Sequence, residues 1–70
     1  MKRFGEKLHA LRKQHGLTLR QLAPMLGVQY SFVGKMERGE KVPNTAMVLK
    51  IANFFEVSTD QLMRDDLELE

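Results

Sequence analysis

GLTLRQLAPMLGVQYSFVGKMERG, residues 16–39, is the stretch that decides the fold. Thr18 with Gln21 three positions on is a T-x-x-Q capping box, in which a hydroxyl and an amide satisfy each other's backbone N–H groups at a helix start. It predicts a helix over Leu19 to Leu26 with Leu22, Ala23 and Leu26 inward. Pro24 lies inside that span, where it removes an N–H bond and predicts a distortion costing about 3 kcal/mol relative to alanine. Gly27 ends the helix. A further helix follows from about Tyr30 to Arg38, closed by Gly39, with Val28 and Val33 as an apolar staple around Gln29. Gln29 is a poor cap, so the start of this helix is the weakly specified boundary.

Outward from this pair, the flanks are also helical. Phe4, Leu8 and Leu11 recur at i, i+4 and i+7 on a helix from about Arg3 to His15, which Gly16 stops. Arg12, Lys13 and His15 suit the negative end of its dipole. Asn44 is a good N-cap after Pro43 for a helix over Thr45 to Phe55, with Val48, Ile51, Ala52 and Phe55 inward. Ser58 with Gln61 is a second capping box, opening a short helix that buries Leu62. The fold class is therefore all-α, a compact five-helix domain over residues 1–64. The remaining DDLELE, residues 65–70, is an acidic C-terminal tail with no stop signal and is expected to fray.

At 70 residues the chain is one small domain, burying only about 60% of the surface its unfolded form exposes. The absence of cysteine removes disulfides and thiolate metal sites, and fits a reducing cytoplasm. Every apolar run falls short of the roughly 18 residues of a membrane span, and no signal-peptide pattern opens the chain. A cytoplasmic protein with no membrane association is expected. Charge is polarised: residues 1–41 carry nine Lys/Arg against three Glu, a balance of +6. Residues 42–70 carry two against six acids, a balance of −4, which completes the formal net charge of +2. A basic front and an acidic back suit a polyanion on one side.

The third helix carries the sharper signal. At about 100° per residue, Val33 and Met36 point one way and Ser31, Gly34, Lys35 and Arg38 the other. Surface helices ordinarily favour Glu, Lys, Gln and Ala, which support helicity. Small residues and two cations with no carboxylate instead suit close approach to something negative. The helices joined by Leu26-Gly27-Val28-Gln29 make a helix-turn-helix, and the major groove of DNA admits one helix and is lined by phosphate.

The stretch from Phe4 to Leu62 resembles the lambda-repressor-like, Cro/Xre-type helix-turn-helix family. The residues that carry the likeness are F-G-E-K-L-x-x-L-R (4–12), G-L-T-x-x-Q-L-A (16–23), L-G-V (26–28), E-R-G (37–39), Pro43 and L-x-I-A-x-x-F-x-V-S-x-D-Q-L (49–62). The resemblance implies a five-helical, sequence-specific binder of double-stranded DNA, a bacterial or phage transcriptional regulator acting as a dimer. It implies that Tyr30, Ser31 and Lys35 reach base edges and that Phe32 meets a thymine methyl. Phosphate contacts would come from Arg20, Gln29, Arg38 and Lys41, and from backbone N–H groups at the helix starts marked by Leu19, Gln29 and Asn44. It also makes Arg12–Glu37 a structural ion pair. Gly34 stands where the family often has a longer polar side chain, Leu19 where many members have glutamine, and Gln29 where Ser or Thr is usual. These departures bear on the operator sequence.

Other chemistry is thinly represented. Glu6 and His9 form one E-x-x-H, where di-metal carboxylate bundles need two plus further glutamates. His15 has no partner at metal spacing. With no nucleophilic cysteine, Gly-rich phosphate loop or paired carboxylates, neither an enzyme nor a cofactor or metal is expected. Phe54, Met63, Leu67 and Leu69 exceed what the core needs. They read either as cover for its edge or as a dimer patch that would set two recognition helices about 34 Å apart on DNA. The leading expectation is a repressor binding a near-palindromic operator as a homodimer. The alternative is a protein-interaction module of the same fold, an antitoxin-type partner or adaptor.

Overall fold

The computed structural model describes residues 1–69, so Glu70 of the expected tail lies outside the described residues. Five helices follow in chain order: α1 (Phe4–Gln14), α2 (Leu19–Leu26), α3 (Tyr30–Glu37), α4 (Thr45–Phe55) and α5 (Thr59–Met63). α4 has the expected bounds, whereas α1 is one residue shorter at each end and α3 one residue shorter at its end, where Arg3, His15 and Arg38 stand as caps.

Caps place the boundaries. Thr18 Oγ1 accepts the N–H of Gln21 at 3.1 Å, and Gln21 Oε1 accepts the N–H of Thr18 at 2.9 Å. Ser58 and Gln61 repeat the exchange, both bonds at 2.9 Å. Asn44 Oδ1 accepts the N–H of Met47 at 2.8 Å. Gln29 adds no side-chain bond at the start of α3. Between α2 and α3 the chain reverses through Gly27 at φ +74°, a left-handed conformation that costs glycine little. The N–H of Val28 then returns to the Ala23 carbonyl at 3.1 Å.

The helix survives Pro24, as expected: α2 runs unbroken from Leu19 to Leu26. Pro24 is on the exposed side. The bond it forfeits, to the carbonyl four residues back, is therefore lost where the helix meets solvent rather than in the core.

The inward faces meet in one core. Leu8, Leu22, Leu26, Val33, Met36, Ile51 and Leu62 are fully buried, closed over by Phe4, Leu11, Ala23, Val48, Ala52 and Phe55. α1 packs on α3 and α5, and α2 packs on α3 and α4. α3 is thus gripped from both sides while its third side stays open.

The tail does not fray over residues 65–69. The Asp65 carboxylate accepts the N–H of Lys2 at 3.0 Å and of Arg3 at 2.9 Å, capping α1 from the far end of the chain. Arg3 also forks onto Glu68, with bonds of 3.1 and 3.2 Å. Deepest of all is Lys7. The residue is 2% exposed, and its ammonium donates to the carbonyls of Gln61 (2.5 Å), Arg64 (2.7 Å) and Leu67 (2.6 Å). An ammonium has three protons to donate, and here each finds a carbonyl.

This clasp changes the reading of the spare apolar residues. Leu67 and Leu69 are half-buried, and Leu69 packs on the core. Leu69 thus covers the core of its own chain rather than joining an exposed patch. Phe54 and Met63 remain exposed, at 37% and 43%.

Candidate nucleic-acid interface

Helical periodicity sets out the open side of α3. Val33 and Met36 face the core, which turns Tyr30, Ser31, Lys35 and Arg38 to the surface, all four exposed. Lys41 lies beyond the helix, also exposed, its N–H bonded to the Lys35 carbonyl at 3.3 Å.

Gly34 departs from the expected arrangement. It is buried, because the Arg38 guanidinium folds back over it. A Cβ at this position would lie 3.1 Å from Arg38 Nη1 and 3.7 Å from Leu19 Cδ1. The helix is low here, but the hollow is filled by neighbouring side chains. Arg38 is held in turn by Glu40, Nε to Oε2 at 2.8 Å, which keeps the Glu40 carboxyl below its usual range. The sequence gives Glu40 no role; its position two residues beyond Arg38 is the signal that was available.

The other expected contacts divide. Phe32 is half-buried against the core, so part of its ring is committed to packing. Leu19 is half-buried too, filling the seam between α2 and α3. The Thr18 hydroxyl takes the Gln21 N–H, leaving those of Leu19 and Arg20, which no intrahelical carbonyl can reach. Gln29 is exposed at the start of α3. Asn44 is exposed with its Oδ1 committed to the cap. Arg20 lies over the Tyr30 ring, Cζ 4.1 Å from the centroid, with Nη2 donating to the phenolic oxygen at 3.2 Å. Beside them is an open depression of about 540 Å³, lined by Arg12, Lys13, Thr18, Leu19, Arg20 and Tyr30 among others and by no carboxylate.

Under the far end of α3, Arg12 and Glu37 form a forked pair, Nε to Oε2 at 2.6 Å and Nη2 to Oε1 at 3.0 Å. Both side chains are almost wholly buried. Arg12 Nη1 also donates to the Leu17 carbonyl at 3.0 Å, tying the turn before α2 to the end of α3. Burial pushes the Glu37 carboxyl upward, but the hydrogen bonds from Arg12 and His9 outweigh it and hold the carboxyl below its ordinary range. His9 is a member that sequence reasoning missed: its Nδ1 sits 3.0 Å from Glu37 Oε1. Glu6 instead accepts from Arg3 at 3.2 Å, so the E-x-x-H pair does not converge. Among the described residues no cluster of metal-ligating side chains occurs, and no helix is long and apolar enough to cross a membrane.

The arrangement matches known proteins. A family model described as Helix-turn-helix matches residues 8–62. The chain is 34% identical over 59 residues to the uncharacterized HTH-type transcriptional regulator YazB of Bacillus subtilis, covering 84% of this chain and 86% of YazB. It is 38% identical over 64 residues to the HTH-type transcriptional repressor RghR of the same organism, covering 90% of this chain but 47% of RghR. Among solved structures, the P22 c2 repressor in complex with a synthetic operator superposes with a TM-score of 0.83 at 30% identity. That match covers 90% of this chain and 96% of the repressor chain.

Proposed function

Since the chain belongs to the helix-turn-helix family of DNA-binding transcriptional regulators, we propose that it is a repressor which binds a near-palindromic operator as a homodimer, with α3 in the major groove. Ser31 and Lys35 read base edges, serine as donor or acceptor and lysine as donor to guanine O6 or N7. Tyr30 reads beside them, and the exposed part of Phe32 meets a thymine methyl. Gln29, Arg38, Lys41 and Arg20 neutralise or hydrogen-bond phosphates, helped by N–H groups at the starts of α2, α3 and α4. Leu19 and Asn44 serve through backbone there. Arg12 and Glu37 hold α3 and touch no DNA. Phe54 and Met63 supply the apolar part of the dimer contact.

One observation carries this reading. Ser31, Lys35 and Arg38 are exposed on the same helix whose opposite side, Val33 and Met36, is fully buried. The helix can enter a groove without disturbing the core. The operator complex of the P22 c2 repressor supports the same use of the same fold.

The test is selection of a random-core duplex library with the purified protein, then titration of the selected duplex at several salt concentrations. A single motif with two-fold symmetry and an affinity that falls steeply with salt is expected. Retention of no motif, or affinity indifferent to salt, refutes the proposal.

A further inference from the structure

The family resemblance implies phosphate for Arg20 and a base edge for Tyr30. The structure joins them into a unit that neither assignment contains. Arg20 belongs to the first turn of α2 and Tyr30 is the first residue of α3, so their contact bridges the openings of both helices. The guanidinium covers one ring face at 4.1 Å and Nη2 donates to the phenolic oxygen at 3.2 Å. Tyr30 nevertheless remains 44% exposed.

The chemistry of the pair gives it a direction. A phenol has one O–H to donate and lone pairs to accept with; a guanidinium has donors alone. Arg20 therefore fills the accepting side of the oxygen and leaves the O–H to point elsewhere. A further N–H group would have to approach an oxygen already beside a cation, and is repelled. Stacking also restricts the ring, whose orientation otherwise depends on two torsions.

On the reading given above, we propose that Arg20 is a positioning residue for recognition: it presets Tyr30 as a hydrogen-bond donor aimed at an acceptor edge in the major groove. The acceptors of that kind are N7 or O6 of guanine, N7 of adenine and O4 of thymine; cytosine offers an amino group in the same place. Arg20 then contributes to sequence preference as well as to charge. Lysine cannot replace it, because an ammonium lacks the planar fork that stacks and donates together.

The experiment uses the duplex that the parent protein selects from a random-core library, with every base pair substituted in turn and affinity read by fluorescence anisotropy. Tyr30→Phe locates the Tyr30 position as the one where preference collapses. There the parent favours an acceptor edge over cytosine by about three- to tenfold, the worth of one hydrogen bond. Arg20→Ala and Arg20→Lys both flatten that preference, although lysine keeps the cation. Adding Arg20→Lys to Tyr30→Phe flattens nothing further, since coupled residues are not additive. Lys41→Ala, by contrast, weakens all duplexes by one factor. Far-UV melts of each variant confirm folding, as Arg20 and Tyr30 are both exposed.

The inference is overturned if the Arg20 variants scale every duplex equally, as Lys41→Ala does, or if Tyr30→Phe leaves the profile unaltered. A parent protein that selects no motif refutes the proposed function, and this inference with it. A motif whose profile ignores Arg20 overturns this inference alone.

Discussion

Gly5→Ala gives a sharp test of how α3 is held, because two effects of known sign oppose each other. Gly5 lies in the first turn of α1, against the end of α3. A Cβ there would stand 2.5 Å from the Glu37 carbonyl oxygen and 2.6 Å from that of Met36. Ordinary contact begins near 3.4 Å, so the helices must separate by close to 0.9 Å. The obstructing atoms are backbone, and no rotamer change relieves them. Overpacking of this kind costs about 1–3 kcal/mol, and a backbone collision belongs at the upper end. Alanine returns up to about 1 kcal/mol of helix propensity. The net is a destabilisation of about 2 kcal/mol, or roughly 8–16 °C in Tm for a domain this small. Thermal unfolding by far-UV circular dichroism reads it directly. Propensity alone predicts the opposite sign, so a variant melting at or above the parent refutes the close-approach argument.

Four further outcomes are expected. Lys7→Met strips the donor from three carbonyls and destabilises by at least about 2 kcal/mol; hydrogen exchange should rise first at residues 65–69, and uniform protection there would refute the clasp. For Glu37, whose carboxyl is held low in the folded state, stability from the Arg12 pair is complete above the ordinary carboxylate value near 4.5 and is lost as pH falls through the depressed one. Glu37→Gln should therefore lower stability at pH 7 and make the decline below pH 4.5 shallower, as acid titration of the urea midpoint would show. Lys35→Ala should cost about 1–3 kcal/mol of operator binding and relax preference at one base pair. Arg38→Ala should instead weaken all duplexes and reduce the salt slope by about 0.9, visible in anisotropy titrations from low to high salt.

What could be read from the chain followed the reach of each interaction. Thr18 with Gln21, Ser58 with Gln61 and Asn44 with Met47 act over three positions, so the starts of α2, α5 and α4 were visible as spelling. The burial of Val33 and Met36 followed from helical period. Lys7 and Asp65 were invisible as partners because the contacts they make span 54 to 63 positions, and nothing local marks a lysine as one that will be buried. Gly34 was misplaced for a different reason. Its angular position was right, but periodicity does not report that the Arg38 side chain lies over it. The Arg20–Tyr30 contact was hidden likewise, since it depends on how closely two helix starts approach.

The grip on the third helix has a consequence for how such a protein diversifies. Everything that fastens it, from the bare backbone seat at Gly5 to the cation beneath Glu37, works from behind. On the proposed reading, positions 31 and 35, exposed and outside these fastenings, can be respelled by drift at the front without renegotiating the melting point, whereas Tyr30 is tied to Arg20.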